Sequence, residues 1–232
     1  MKKIFFLIML ILEMATVKGQ DIVDKFLLEF KPIAERAEKV YIDGNSYYGQ
    51  TSERAERYAI YCLEACAVID KYVDRIDDIN EQLDMLWKQV DILSDILNVY
   101  EQDQIGISSS EYNVLLTRKI SSLKKLGIIC IKITDDADRY LELYDVNKAL
   151  GEHYFQHMNY KEASIYYSMC VSAYKNTLTG RYANDDDTQR MGQQSYYWMG
   201  YTAYKQGDTT IANHYFNKAR NILNDNLIQP YK

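Results

Sequence analysis

His153 and His157 lie four residues apart, a separation that puts two imidazoles on one face of a helix and can hold a metal ion. A metal site needs a third ligand. Glu152 points elsewhere and His214 belongs to another segment, so the pair reads as structural or surface histidines. The run Asp185-Asp186-Asp187 lacks the alternating ligands and terminal glutamate of a calcium loop and reads as a solvated turn. No Gly-x-Ser-x-Gly elbow and no phosphate-cradling glycine loop occurs, and no carboxylate pair is marked out for acid–base work. The chain is expected to be non-catalytic, with no cofactor and no metal. Cys62 and Cys66 are one helical turn apart and match no zinc or redox spacing; with Cys130 and Cys170 they read as small buried hydrophobes. An exported chain also leaves room for a bridge between distant cysteines.

Aromatic residues offer a different chemistry. Tyr197, Tyr201 and Tyr204 fall at i, i+4 and i+7, forming a stripe on one helix face. Tyrosine presents apolar area and a hydroxyl at little entropic cost, which suits recognition of a peptide or a sugar. The chain holds 22 tyrosines, so such a stripe also arises easily by chance.

The elements that would position these residues carry a repeat. One stretch reads Leu150-Gly151-x2-Tyr154 and then Ala163-x3-Tyr167-x2-Cys170; a second reads Met199-Gly200-x2-Ala203 and then Ala212-x3-Phe216-x2-Ala219. Twelve positions separate glycine from alanine in both, with a turn between, Met158-Asn159-Tyr160 in one and Gln206-Gly207-Asp208 in the other. A glycine or alanine within an apolar face lets a second helix approach closely, and Tyr167 and Phe216 fill the space beside it. Gly207 suits a left-handed C-cap, and Asp208 can accept from the free N–H groups of the next helix.

These spacings resemble the tetratricopeptide repeat, a helix-turn-helix unit that stacks into a groove for other proteins. The resemblance covers about residues 144–224. Ala203 stands where the family prefers an aromatic, and the closing proline is missing from both units. The two glycines are 49 residues apart, against ~34 in the family; a loop over 176–189 accounts for the surplus. The resemblance implies a groove lined by the first helix of each unit, on the face not used for stacking. That face holds Lys148, Glu152, Phe155, Gln156, Gln194, Tyr197, Tyr201, Tyr204 and Lys205.

Proline is absent from 33 to 229, and apolar residues recur with helical period throughout. Helices are expected over 21–42, 52–103 (as one helix or broken into two), 110–133 and 135–157, with N-caps at Thr51 or Ser52 and at Ser109 or Ser110, and turns over 43–46 and 103–109. Within 69–100 a seven-residue pattern runs through Ile69, Ile76, Leu83, Val90 and Leu97, and through Tyr72, Ile79, Leu86, Leu93 and Tyr100. Val73, Trp87 and Ile96 widen the stripe, favouring a hairpin against 110–133 over a homodimeric coiled coil. Ala55-x3-Ala59-x2-Cys62 looks like the second helix of a degenerate repeat, without a clear first helix before it.

Lys2 and Lys3 precede the apolar run 4–12, the layout of a secretory signal peptide over 1–20, with cleavage placed before Gln20. The absence of a nearby cysteine opposes a lipid anchor, and the absence of an Asn-x-Ser/Thr sequon favours a bacterial periplasm or envelope. Net charge is −6, and −8 once Lys2, Lys3, Lys18 and Glu13 are removed, which opposes nucleic acid and anionic membrane as partners. The expectation is an all-α exported protein with a long-helix region over 21–143. It ends in a short tetratricopeptide-like α-solenoid over 144–232, a non-catalytic scaffold for a protein or peptide. The alternatives are a carbohydrate or small-ligand module using the tyrosine face and, third, an enzyme with an unrecognised pocket.

Overall fold

The structure, a computed structural model, describes residues 20–42, 52–102 and 108–223. The expected leader ahead of Gln20, the expected turn over 43–46 and the Thr51 cap, and residues 103–107 of the expected turn over 103–109 lie outside the described residues. Those residues form eight α-helices and no strand, so the protein is all-α. They are α1 (Gln20–Ile42), α2 (Ser52–Tyr72), α3 (Ile79–Gln102), α4 (Ser109–Cys130), α5 (Asp136–Gln156), α6 (Tyr160–Thr177), α7 (Asp186–Lys205) and α8 (Thr209–Leu223). None of them is long and apolar enough to cross a membrane. The chain divides into two compact units, 1–126 and 127–232. A boundary at 143 would cut α5, whose N-terminus is set by Asp135 accepting from the amides of Ala137 and Asp138.

In the first unit α1 packs on α2, and α2 on α3. Pro32 sits inside α1 without breaking it, and Arg36 donates back to the Pro32 carbonyl at 3.3 Å. Helix α1 supplies the partner missing from the Ala59–Cys62 motif: Ala37 shares a core cluster with Tyr58, Ala59 and Cys62.

Of the two alternatives for 52–103, the broken one forms, and the break falls inside the heptad segment 69–100. A short 3-10 turn, Val73–Arg75, ends α2, and Ile76 is extended. Asp78 then opens α3 by accepting from the amides of Asn80 at 2.8 Å and Glu81 at 3.1 Å. Aspartate bonds well to the free amides at a helix start and poorly inside a helix, so Asp77-Asp78 is where the chain turns. Folding back sends both heptad series inward: Ile69, Ile76, Leu83, Leu86, Val90, Leu93 and Leu97 are buried within their own chain. A homodimer seam along 69–100 therefore has no continuous helix to run on.

Helix α4 joins this core through Leu115, and its Leu123 and Leu126 are buried as well. Its cap is Ser108, not Ser109 or Ser110. The Ser108 hydroxyl meets the Glu111 amide at 3.2 Å, while the Glu111 carboxylate accepts from the Ser108 amide at 3.1 Å, a reciprocal capping box. That contact also holds the Glu111 carboxyl below its ordinary pKa.

Candidate functional site

The second unit is two helical hairpins in series. Helix α5 pairs with α6, α6 with α7, and α7 with α8. Each hairpin is closed by a ring laid on a glycine. A Cβ on Gly151 would lie 2.7 Å from the Tyr167 ring, and one on Gly200 would lie 2.8 Å from the Phe216 ring. Ala163 and Ala212, both buried, complete the notches. The 49-residue spacing hides a third notch, on Gly192. It takes the Tyr174 ring and so seats α7 against the preceding hairpin.

The hairpin tips are built alike. Asn159 donates its amide to the Tyr154 carbonyl at 2.9 Å, and Asp208 donates to Ala203 at 3.0 Å. Both bonds run five residues back, the mark of a left-handed C-cap. The same two residues then N-cap the following helices, Asn159 accepting from Glu162 at 3.3 Å and Asp208 from Ile211 at 2.9 Å. The long connection between hairpins is shorter than expected, because α6 continues to Thr177 and α7 begins at Asp186. It folds back on the start of α5, where Arg181 reaches Asp138 at 2.6 Å and Asp135 at 3.4 Å, and the Tyr182 hydroxyl donates to Asp138 at 3.0 Å.

Beside these contacts α5 and α7 carry an aromatic array that leans on the hairpin cores: Phe155 packs on the Ala163–Tyr167 cluster, and Tyr197 and Tyr201 pack on the Ala203–Ala212–Phe216 cluster. Phe155 stacks on Tyr201, centroids 5.1 Å apart; Tyr201 stacks on Tyr197 at 6.1 Å and on Tyr204 at 6.4 Å. Phe155, Tyr197 and Tyr201 are half-buried, and Tyr204 is exposed. The Lys205 ammonium lies 5.2 Å from the Tyr201 centroid, a cation–π contact. Of the nine expected groove residues, these five touch. Lys148 and Glu152 share the α5 face with Phe155 and pair with each other at 4.0 Å. Gln194 accepts from the Tyr144 hydroxyl at 3.3 Å, a second tie between α5 and α7. Gln156 is exposed on the last turn of α5.

Two members of the array were not expected. Trp198 lies edge-on to Phe155 at 5.4 Å and flat on Tyr167 at 5.6 Å, joining the surface rings to the core. Tyr160 meets Phe155 at 5.2 Å. Trp198 follows Tyr197 and precedes Tyr201 by three positions, so its neighbourhood on α7 was legible. Its contacts with α5 and α6 were not.

His153 lies within α5, and His157 is its exposed C-cap residue. His153 is buried, its ring centroid is 4.4 Å from that of His157, and His157 Nδ1 lies 2.8 Å from the His153 carbonyl oxygen. Among the described residues, no cluster of three His, Cys, Asp or Glu side chains is placed to hold a metal. Asp185 N-caps α7, accepting from the Asp187 amide at 3.0 Å. The four cysteines are free, buried thiols. Burial pushes Cys62, Cys66 and Cys130 up to about 12 and Cys170 higher still. At neutral pH they stay protonated, whereas the thiolate is the nucleophile.

No protein-family model matches the chain, and no curated protein does. Among solved structures it is similar to that of BtubC (BKLC) from P. vanneervenii, with 14% identity over 89% of this chain and 95% of that one and a TM-score of 0.32.

Proposed function

We propose that this chain is an exported, non-catalytic scaffold of a bacterial envelope, holding a peptide or protein partner against the first helices of two tetratricopeptide-like hairpins. The observation that carries the proposal is the array of Phe155, Tyr197, Tyr201 and Tyr204, which rises from the hairpin cores, where the first three are half-buried, to the exposed Tyr204. Aromatic residues that are pre-packed lose little entropy when a partner covers them, which is why tyrosine and tryptophan concentrate at binding hot spots. The interplanar angles, 29° for Phe155–Tyr201, 21° for Tyr197–Tyr201 and 9° for Tyr201–Tyr204, make the rings near-parallel, and the centroid separations of 5.1, 6.1 and 6.4 Å set them beside one another with a lateral offset. Beside them lie the Lys205 ammonium and the Lys148–Glu152 pair. Apolar area beside charged groups of both signs suits the mixed side chains and amides of a peptide. Export rests on Lys2, Lys3 and the apolar run 4–12.

The test is capture from envelope extract by the immobilised protein, repeated with a Tyr201→Ala/Tyr204→Ala variant. Loss of both rings should lower partner affinity by roughly tenfold or more while the circular dichroism of the helices stays unchanged. Equal capture by the variant rejects the array as the binding face. Retention by immobilised oligosaccharide instead of a protein partner transfers the array to the carbohydrate reading.

A further inference from the structure

The chain carries two kinds of oxidisable sulfur, and the fold reverses their usual order of reactivity. A thiol ordinarily reacts ahead of a thioether, through its thiolate. Here all four thiols, Cys62, Cys66, Cys130 and Cys170, are buried. Burial also raises their pKa values, which keeps them protonated as well as shielded. The thioethers divide differently. Among the described methionines, Met85 and Met191 are buried, Met199 is half-buried, and Met169 is 44% exposed on α6. Met158 is 74% exposed.

Met158 stands at the tip between α5 and α6. Its amide donates to the Phe155 carbonyl at 3.0 Å, and the next amide, of Asn159, donates to Tyr154 at 2.9 Å. These bonds accompany φ 57°, a left-handed conformation that methionine enters only at a cost. The equivalent tip of the other hairpin is made by Gly207, with φ 86°. The turn therefore needs no side chain, and the core gains little from this one. Strain kept where neither the turn nor the core uses the side chain points to a use for the side chain itself. An exposed thioether offers a sulfur that accepts oxygen, and its product, a polar sulfoxide, is as much at home in water as it is disruptive in a core.

We infer that Met158 is a site of reversible oxidation by hydrogen peroxide, reacting ahead of the four thiols and of the other described methionines. The Met158 sulfur gives an electron pair to one peroxide oxygen; the O–O bond breaks, an S–O bond forms, and the second oxygen leaves as water after a proton transfer. Sulfur is oxidised by two electrons and the peroxide is reduced by two. Methionine sulfoxide reductases reverse the step, drawing two electrons from a dithiol and releasing the oxygen as water. This site stands apart from the tyrosine array, and neither reading depends on the other.

Hydrogen peroxide in excess over the full chain, followed by peptide mapping, gives a rate for each methionine. Met158 should react faster than Met169 and at least roughly tenfold faster than Met85 and Met191, because susceptibility follows exposure. In concentrated urea the five rates should converge to within about twofold, since the burial that separates them is gone. When Met158 is half converted, all four thiols should still titrate after unfolding. At full conversion of Met158 the urea midpoint should match the parent's. The two reductases, one for each sulfoxide epimer, should then restore the thioether. A faster Met169, a preference that survives in urea, loss of thiols ahead of Met158, a lowered midpoint, or a sulfoxide that the reductases leave in place would each overturn the inference.

Discussion

Met158 and Gly207 occupy the same place in the two hairpins, seven residues after Gly151 and Gly200, and both have left-handed backbone, φ 57° and 86°. One hairpin supplies the residue that takes this conformation freely; the other forces methionine into it. A side chain there costs about 1–2 kcal/mol, part of which glycine gives back through its greater freedom in the unfolded chain. Met158 is 74% exposed and has little burial to lose. Met158→Gly should therefore stabilise the protein by about 0.5–1 kcal/mol, read as a higher urea midpoint with an unchanged slope. Gly207→Ala should do the reverse by a similar amount, since nothing lies within 4 Å of the added methyl and only backbone strain acts. A lower midpoint for Met158→Gly would mean that the thioether contributes packing.

Glycines inside the helices separate by what faces them. A methyl on Gly192 would enter the Tyr174 ring, and the ring cannot swing aside easily because it is buried and packed edge-on to Tyr196 at 6.4 Å. The neighbour of a methyl on Gly127 would be Val146 Cγ1 at 3.7 Å, an ordinary contact. Gly192→Ala should cost about 1–3 kcal/mol by overpacking, whereas Gly127→Ala should gain about 0.5–1 kcal/mol of helix propensity. Thermal unfolding of the two single variants gives the comparison. Equal effects would contradict the notch.

These sites also show which physics can be read along a chain. Gly151, Ala163 and Tyr167, like their counterparts at Gly200, signal a hairpin because all three lie within one helix-turn-helix, where spacing alone decides contact. Gly207 and Asp208 are legible for the same reason: caps are local. Gly192 and Tyr174 meet across the connection between hairpins, where no fixed spacing applies. The heptads ran unbroken through Ile76 and Ile79 because apolar periodicity does not register Asp77 and Asp78, whose preference for a helix start ended α2. Trp198 draws its contacts from three helices, so its role needed coordinates.

Gln89 lies in the core of the first unit, 1% exposed, with its polar atoms satisfied. Its amide nitrogen donates to the Cys66 carbonyl at 3.1 Å and to Asp70 at 2.7 Å, and its oxygen accepts from Ser122 at 2.7 Å. Arg118 holds the same Asp70 at 2.6 Å. The network pins α2, α3 and α4 in one register, which apolar contacts alone would let slide. Ser122→Ala leaves the Gln89 oxygen buried without that donor and should cost about 1–3 kcal/mol. In Gln89→Leu the same serine change should cost less, so a double-mutant cycle should give a coupling of at least about 0.5 kcal/mol. Additive effects would show that Gln89 and Ser122 do not depend on each other.

Arg181 and Asp138 give the connection between hairpins a pH dependence whose sign can be worked out. The Arg181 guanidinium holds the Asp138 carboxyl below its ordinary value, and the Tyr182 hydroxyl adds to the effect. A carboxylate with a depressed folded-state pKa stabilises the fold above the unfolded value of about 3.9. That contribution is lost as pH falls through the lower folded value. Removing the guanidinium in Arg181→Ala should return Asp138 to the ordinary carboxylate range, followed by its side-chain carbon shift in an NMR titration. The variant should also lose stability less steeply than the parent as pH falls below about 4, and added salt should narrow the difference because the pair is open to solvent. An Asp138 titration that does not move in Arg181→Ala would place the cause of its depressed pKa elsewhere and free the connection from the start of α5.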